Sequence, residues 1–400
     1  MIGDGMAETG TMAVISAEAG HLAARGIPRA DRFAVEFVRD WKQASSRWGA
    51  ASHGTAFQHH HWLTAWYGAF DKTSPLIAII RDGITDRQIA LIPLIHRVRN
   101  GVRIVEFADL DLTDYNAPLL AFGISRDALD ERALCRALLA ALRKLPERVD
   151  LVRLRKMPAI VDGRANPLVS LGRPGSCSLN GNLIEVGEDF EVYRASIKRM
   201  QLARSWRVFS RNAGAAFRIV DNVDEALAVL DTTDAQQQER MQRLGLPFNL
   251  NDETCSKFYR DLVRRGLAEG YVIASALTCG EAVVATVLGI RQGNSFVFLR
   301  ISNAGKKWSS CSPSRLIIER TMAALHRDGV RNFDLSVGNY AFKRRFGAAP
   351  LPLTDASVAL GWRGIPYVVR DRAAQQLRRF PWLAERVVCL RGKRNAFEEG

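Results

Sequence analysis

The residues best suited to chemistry lie between Ser295 and Gly347. Ser312 and Pro313 follow a strand-like run and open a helical pattern, since serine suits an N-cap and proline fits the first helical turn. A helix that begins after a strand in this way directs free N–H groups and the positive end of its dipole beyond the strand. The pattern predicts a site for a phosphate-bearing ligand, with Ser312 and Ser314 organising the backbone around it.

Two further candidates follow in the next strand and turn. Asp334 lies in the strand-like run 332–337, where its carboxylate could act as a general base or anchor an acceptor. Side-chain alternation could equally turn Asp334 outward to solvent. Lys343, with Arg344 and Arg345, could hold phosphates or an anionic acceptor, or could form a solvated run of charge. Both interpretations stay open for each group.

An equivalent loop in the first half of the chain carries Asp114 and Tyr115. These two residues could line a groove between the two halves that binds an acceptor. The alternative is a turn-forming aspartate and a packed aromatic ring. Cys311 lies close to the predicted phosphate site, but no base accompanies it, and small buried filler is the simpler interpretation.

The elements that must position these groups occur in the same order twice. Each half reads as three strands, a loop, a helix and a further strand. The first copy comprises 76–81, 89–96, 102–107, 126–145 and 149–154; the second comprises 271–277, 282–290, 295–301, a helix from 313 and a strand from 332. Such a repeat indicates an internal duplication. The predicted fold class is α/β (α+β), with two similar units that each contain a mixed central sheet.

Composition gives the predicted organisation around these units. We predict a loose tail at 1–30, units at 31–180 and 181–362, and a basic helical tail at 363–400; the stretch 166–181, rich in Gly, Pro and Ser, reads as a linker. The chain has 400 residues, 47% of them apolar, and a net charge of +14. Much of the excess lies in a predicted basic helix at 190–211 and in the tail, which indicates local polyanion- or membrane-facing segments.

Several classes of site and location are not supported. The six cysteines show no ligand-like spacing, and the adjacent histidines at 59–61 point in different directions on a helix, so no metal site is predicted. No signal peptide and no apolar run long enough to span a bilayer is visible. We therefore expect a cytoplasmic protein, with peripheral contact to an anionic membrane as a further option.

The chain resembles acyltransferases of the GNAT superfamily, specifically the duplicated branch of FemAB-like peptidyltransferases and CelD-like (BioF2-like) proteins of polysaccharide biosynthesis. The matching pieces occur in order and cover most of 57–347: they are FQHHHWLTAW, DYNAPLL, SIKRMQLARSWR and SPSRLII…GVRNFDLSVG…FKRRFG. No single piece is specific, but their order and spacing together are. The resemblance implies two tandem GNAT-like units and transfer of an acyl group from a thioester.

Three departures from the family pattern are visible. The region QQQERMQRLG keeps Arg240 but lacks the histidine and tryptophan common there. The usual Tyr-Lys pair reads Phe342-Lys343, with Tyr340 two residues earlier. The stretch 211–216 satisfies the pyrophosphate-loop pattern of the superfamily, but it follows a helix and precedes a strand. A helix C-cap at Gly214 is the better interpretation there.

These residues and the resemblance together give the candidate site residues. Catalytic candidates are Asp334, Tyr340 and Lys343; donor-binding candidates are Arg300, Ser312, Ser314, Arg315 and Lys343; acceptor-binding candidates are Asp114, Tyr115 and Arg240. The resemblance implies acetyl-CoA or another acyl-CoA as donor substrate, an amine or sugar hydroxyl as acceptor, and a role in exopolysaccharide, cellulose or envelope synthesis. The predicted partners include neither metal nor DNA.

Two other functions remain open at this stage. One is a FemAB-like peptidyltransferase that uses aminoacyl-tRNA, which the net charge permits. The other is a catalytically inert scaffold at a membrane polysaccharide synthase, contacting it through the basic tail. Asp334 and Lys343 favour an enzyme, whereas Phe342 and the missing phosphate-loop motif favour the scaffold.

Overall fold

A computed structural model describes residues 32–48, 52–124, 129–248, 250 and 252–378 of the chain. The predicted loose tail at 1–30 lies outside the described residues, as does the predicted basic tail beyond 378. Within the described residues, no helix is both long and apolar enough to cross a membrane. The same part of the chain contains no group of three His, Cys, Asp or Glu side chains arranged to hold a metal ion.

Strands and helices of the described residues are numbered in chain order. The strands are β1 (Phe33–Val38), β2 (Ser52–His53), β3 (Ser74–Pro75), β4 (Ile77–Asp82), β5 (Gln88–Ile92), β6 (Leu94–Arg99), β7 (Val102–Phe107), β8 (Leu119–Ala121), β9 (Leu151–Pro158), β10 (Ile160–Val161), β11 (Arg164–Ala165), β12 (Gly175–Glu185), β13 (Ala215–Val220), β14 (Val272–Cys279), β15 (Ala282–Gln292), β16 (Ser295–Asn303), β17 (Asn332–Asp334) and β18 (Ala349–Ala359). The helices are α1 (Trp41–Arg47), α2 (His60–Ala69), α3 (Glu131–Arg143), α4 (Phe190–Ser196), α5 (Leu202–Phe209), α6 (Val223–Arg243), α7 (Glu253–Gly266), α8 (Pro313–Arg327), α9 (Ala341–Arg345) and α10 (Ile365–Arg378).

One large mixed sheet runs through both halves of the chain. It contains 11 strands in the order β13-β14-β15-β16-β17-β12-β18-β9-β7-β6-β3. A second sheet of 5 strands, β1-β4-β5-β8-β2, belongs to the first half. The predicted mixed α/β fold is confirmed.

The duplication is visible in how the strands pair. In the first half, β7 leads through α3 to β9, which pairs parallel to β7. In the second half, β16 leads through α8 to β17, which pairs parallel to β16. All the other ladders among the described strands are antiparallel. Each predicted unit therefore has the same strand–helix–parallel strand arrangement at its centre.

The two halves exchange strands at the middle of the large sheet. Strand β12 follows the first half in sequence but pairs with β17 of the second half. Strand β18 follows the second half but pairs with β9 of the first, and β12 and β18 pair with each other. The prediction of a linker at 166–181 is therefore wrong over its last part, because β12 begins at Gly175. Hydrogen bonding on both edges of β12 outweighs its turn-like composition.

Local backbone geometry explains why three other predicted elements are divided or end early in the structure. The run 89–96 is two strands, because Pro93 cannot donate a ladder hydrogen bond; β5 joins the small sheet and β6 the large one. The run 332–337 ends as a strand at Asp334, and Ser336 takes a left-handed φ of 70°. The basic helix at 190–211 divides into α4, a short 3-10 turn and α5, with Gln201 left-handed at the break.

Helices cover the second half of the large sheet on both faces. Helices α6 and α7 pack with α2 of the first half in the larger hydrophobic core, which contains Trp62, Leu230 and Phe258. Helices α4, α5 and α8 form a second core on the opposite face, around Phe209 and Phe333. The parallel pair β16 and β17 lies between these layers, near the strands exchanged by the two halves.

Candidate functional site

The parallel strands β16 and β17 separate after a short paired stretch. Their ladder covers three residue pairs, ending at Val297 and Asp334. Beyond it, Leu335 N donates to Asn182 O of β12 at 2.9 Å, so the chain turns away from β16. Strand β16 continues to Asn303, and no ladder with β17 exists beyond Val297 among the described residues. The two strands therefore open into a wedge towards the amino end of α8.

A bulge marks β16 where the wedge opens. Leu288 of β15 pairs with Arg300 and Gly289 pairs with Phe298, which leaves Leu299 as an extra residue. Bulges interrupt the ladder, bend the strand and often occur next to functional sites. The bulge thus lies just beyond Val297, where the ladder of β16 with β17 ends.

The corresponding wedge in the first half is filled by the chain itself. Asn116 N donates to Lys156 O at 3.0 Å, and Asn116 Nδ2 donates to Arg155 O at 3.0 Å, so the edge of β9 is already occupied. Lys156 Nζ lies 2.8 Å from Asp109 Oδ2, which ties the same loop down. Beyond β17, by contrast, no backbone N–H among the described residues donates to Ser336 O or Val337 O.

Side chains from both halves meet at the carboxyl end of β17. The Ser336 hydroxyl donates to the carboxylate of Asp114, which comes from the first-half loop. Ser336 N donates to Asp334 Oδ1 at 2.6 Å. Lys343 Nζ donates to the backbone oxygens of Ser336 and Val337 at 3.1 and 2.7 Å. Two acids and one lysine predicted from sequence thus lie in one cluster.

Burial sets the electrostatics of this cluster. It raises the pKa of Asp334 to about 6, against the opposing effects of the nearby Tyr115 hydroxyl and Ser336 N–H. Removal from water also raises the pKa of Asp114, while the Ser336 hydroxyl and the Lys156 charge oppose that rise. Burial lowers the pKa of Lys343 to about 8, although Asp114 and Asp334 counteract it. Near neutral pH, Asp334 can accept a proton and Lys343 can release one.

Tyr115 completes the wall of the cluster from the first half. Its ring packs edge-on against Phe57, with centroids 5.7 Å apart. Its hydroxyl is buried and has no hydrogen-bond partner of standard geometry among the described residues. That hydroxyl is held so close to β12 that a Cβ on Gly181 would lie 2.1 Å from it.

Gly181 therefore gives a direct test of this arrangement. We expect Gly181→Ala to displace Tyr115 and lower the free energy of unfolding by about 1–3 kcal/mol, since overpacking a tight interior costs that much. Gly187→Ala is the matched control, because a Cβ there meets open space. Denaturant melts of both variants measure the difference, and equal midpoints would contradict the tight Tyr115 packing.

Asn182 holds the turn that presents the cluster. Its Nδ2 donates to Ser336 O and to Gly338 O, both at 2.8 Å. The turn needs this support because Ser336 is left-handed and Gly338 has a φ of 117°. Asn182, Gly181 and Ser336 escaped the sequence analysis. Two short sequences could have indicated these residues. One is Ser-Val-Gly at 336–338, between a strand and a basic turn, and the other is Asn-Gly-Asn at 180–182, within an apparent linker.

The amino end of α8 differs in detail from the prediction. Ser312 stands at the N-cap position but is left-handed, with a φ of 48°, and its side chain makes no capping hydrogen bond. A 3-10 helix, Lys306–Cys311, leads directly into it. The Ser312 hydroxyl instead accepts from Arg315 Nη2 at 2.7 Å, and Ser314 Oγ accepts from Asn303 Nδ2 at 2.6 Å. The predicted capping by the Ser312 side chain is wrong, and the first-turn N–H groups have no side-chain cap.

Three other predicted residues differ in their surroundings. Tyr340 is 49% exposed and its ring lies 5.3 Å from Lys343 Nζ. Arg300 is buried, and its Nη2 lies 2.7 Å from Asp234 Oδ1 and 2.5 Å from Gln237 Oε1. Because its charge is already paired on the α6 face, we leave Arg300 out of the proposed donor site. Arg240 lines a separate cavity of about 300 Å³ between α6 and the end of β16.

Residues 196–344 match the acetyltransferase (GNAT) domain family. This segment of the second half thus resembles the GNAT acetyltransferase domain, in agreement with the resemblance seen in the sequence. No curated protein sequence matches the chain. Among solved structures, the chain is similar to FemX, with a TM-score of 0.54 and 9% identity over 80% of this chain and 96% of FemX. That likeness shows a shared fold.

Two further solved structures match this chain over nearly all of their own length. One is L-PGS from Bacillus licheniformis, with a TM-score of 0.46 and 13% identity over 81% of this chain and 97% of that one. The other is a tandem GNAT protein from the clavulanic acid biosynthesis pathway, with a TM-score of 0.42 and 11% identity over 82% and 99%.

Proposed function

We propose that the protein transfers an acyl group, acetyl in the simplest case, from a coenzyme A thioester to an amine or sugar hydroxyl. The observation that carries this proposal is the contrast between the two wedges. Among the described residues, no backbone N–H occupies Ser336 O or Val337 O beside the wedge between β16 and β17, whereas Asn116 occupies the corresponding backbone oxygens of β9 in the first half. A role in polysaccharide or envelope synthesis rests on the sequence resemblance alone.

The cluster supplies the proton transfers that this reaction needs. Asp334 takes the proton from the acceptor nitrogen or oxygen as that atom attacks the thioester carbonyl. The carbon–sulfur bond then breaks, and Lys343 donates a proton to the departing thiolate. Its pKa of about 8 is close to that of a thiol, which suits this exchange. Asp114 and Tyr115 line the acceptor side, and Tyr340 is an exposed second proton donor.

The donor phosphates are assigned to the amino end of α8. Arg315 lies in its first turn and already reaches the Ser312 hydroxyl, while Ser314 is held by Asn303. The Ser314 N–H, the helix dipole and a guanidinium together favour a diphosphate, although Pro313 has no N–H and Arg315 N already donates to Ser312 O.

Acetyl-CoA binding, measured by calorimetry, tests this assignment. We expect Arg315→Gln to weaken binding about tenfold, because a hydrogen bond to a charged group contributes about 1.5–3 kcal/mol. Arg327→Gln, at the exposed carboxyl end of the same helix, is the matched control and should bind like wild type. If wild type binds no acetyl-CoA, the proposed donor is wrong.

A basic face supports a second candidate, an aminoacyl-tRNA-dependent peptidyltransferase. Helix α5 packs against the 3-10 helix before α8. The exposed cations of these two segments and of the turns before and after α5 form no ion pair among the described residues: they are Lys198, Arg199, Arg204, Arg207, Arg211, Lys306 and Lys307. An unpaired cluster of this kind suits a polyanion. Binding of tRNA with steep salt dependence, in a protein that ignores acetyl-CoA, would favour this candidate. If neither ligand binds, the inert scaffold becomes the better account.

A further inference from the structure

Helix α10 packs on the middle of the large sheet and turns a mostly polar side towards it. Its neighbours there are β18 and β12. Asp371 Oδ1 lies 2.9 Å from Arg153 Nη2, and Asp371 Oδ2 accepts from the Ser357 hydroxyl at 2.7 Å. Val368 is the one buried residue of α10. A surface helix usually buries its apolar side, so this contact accounts for little of the apolar surface of α10.

The other apolar side chains of α10 lie on the side that faces solvent. Ile365, Val369, Ala373 and Leu377 are all exposed, and their spacing of four residues places them along one stripe of the helix. Trp362 stands three residues before Ile365, in the 3-10 turn that leads into α10, and is 75% exposed. We call these five residues the outer stripe. Single exposed apolar residues are ordinary, but a continuous stripe that includes a tryptophan indicates an interaction surface.

Arginines lie on both sides of the outer stripe. Arg370 follows Val369 and Arg372 precedes Ala373, and neighbouring residues of a helix point about 100° apart. Arg370 lies 3.2 Å from Asp371, the only acidic residue of α10, which is already paired with Arg153. Three further exposed arginines form no ion pair among the described residues: they are Arg363, Arg372 and Arg378. The outer stripe is therefore bordered by uncompensated positive charge.

This combination fits an anionic lipid surface better than other occupants. Aromatic and aliphatic side chains enter the headgroup region of a bilayer, while the arginines beside them reach lipid phosphates. A nucleic acid would pair with the arginines but leave the apolar side chains in water. A second copy of the chain would bring like charges together across the contact. Residues 379–400 carry five Lys or Arg and three Glu, so they add positive charge instead of neutralising it.

We propose that the outer stripe and its arginines bind the surface of an anionic lipid bilayer, with α10 parallel to the membrane plane. The apolar side chains enter the interface and the arginines contact phosphate groups. Helix α10 packs on β12, the strand whose Asn182 supports the Ser336 turn, so binding holds the cluster at a fixed distance from the membrane. This membrane contact does not depend on the proposed acyl transfer.

Cosedimentation of the full chain with lipid vesicles tests the proposal. Wild type should bind vesicles of phosphatidylcholine mixed with phosphatidylglycerol, bind phosphatidylcholine vesicles much more weakly, and dissociate as the salt concentration rises. The double variant Ile365→Ser, Val369→Ser should weaken binding at least about tenfold, because two apolar side chains no longer enter the interface. Arg372→Gln should weaken it about fivefold, the contribution of one cation near an anionic surface.

Two substitutions on other helices are the matched controls. Val192→Ser removes an apolar side chain that is 68% exposed on α4, and Arg207→Gln removes an exposed cation from α5. Both variants should bind anionic vesicles like wild type. Circular dichroism checks that every variant is folded.

Three results would overturn the proposal. The first is a wild-type protein that does not bind anionic vesicles, as expected if another part of the chain covers the outer stripe. The second is binding that the folded α10 variants leave unchanged, or that Arg207→Gln weakens as much as they do. The third is a wild-type dimer that the double variant converts to a monomer in size-exclusion chromatography, since the stripe would then join two copies. Acetyl-CoA binding is measured separately, so failure of the proposed function would leave vesicle binding intact.

Discussion

Replacing Asp334 with asparagine is expected to lower kcat/KM for acyl transfer by about 10²- to 10⁴-fold, the usual contribution of a positioned general base. The substitution keeps the shape of the side chain, and asparagine Oδ1 can still accept from Ser336 N. Loss of activity would therefore reflect the lost proton acceptor. Steady-state kinetics with the acyl donor and a competent acceptor measure it. Asp328→Asn, on the exposed connection between α8 and β17, is the matched control and should keep full activity.

The pH profile of wild-type activity tests the protonation states in which Asp334 and Lys343 act. Asp334 acts as a base only when ionised, so activity should rise as the pH increases through about 6. Lys343 donates a proton only when charged, so activity should fall as the pH rises through about 8. The Asp334→Asn variant should lose the acidic limb. A wild-type profile that is flat between those two values would contradict the assignment of both groups.

Stability should move in the opposite direction from activity in this variant. Because folding raises the pKa of Asp334 from 3.8 to about 6, the folded state binds more protons in that interval than the unfolded state does. The free energy of unfolding therefore falls as the pH rises from about 4 to 6, and it stays lower at pH 7. Asparagine removes this penalty, so the variant should be at least as stable as wild type at pH 7. An inactive variant that is also strongly destabilised would point to a structural role for Asp334.

The sequence predicted the elements whose residues follow a regular period. Strand β7 was predicted at 102–107 and is found at Val102–Phe107, and α8 begins at Pro313 as predicted. A groove between the halves lined by Asp114 and Tyr115 was one of two interpretations of their loop, and the structure places Asp114 against Ser336 at the end of β17. Local patterns were sufficient where nearby residues decide the structure.

Features that depend on distant pairing could not be predicted. Asn182 and Gly181 belong to an apparent linker by composition, and only pairing of β12 with β17 and β18 makes them part of the site. The filled wedge of the first half depends on Asn116 reaching β9, which no periodicity records. Ser312 fits an N-cap by residue type, but the 3-10 helix before it imposes a left-handed conformation. In each case, long-range contacts outweigh local preference.

Lys343→Met should lower kcat by about 10²-fold or more, the size of effect seen when one preorganised donor is lost. Methionine retains most of the buried volume but removes the charge and the donors to Ser336 O and Val337 O. Because Asn182 still donates to Ser336 O, Val337 O is the carbonyl left without this partner. We expect the free energy of unfolding to fall by about 1–3 kcal/mol.

The stronger test of Lys343 is its coupling to the acids. Its charge holds down the pKa of Asp114, and it interacts with Asp334 in the same way. Without that charge, the ionised form of Asp334 is less stable, so the acidic limb of the pH profile should move above 6 in Lys343→Met. Arg344→Met, exposed on the same short helix, should leave the limb in place. Lys343→Arg should not restore activity, because a planar guanidinium cannot reproduce a compact ammonium between two carbonyls. An unshifted limb in Lys343→Met would show that the lysine and Asp334 act independently, and proton exchange within one cluster would no longer explain the site.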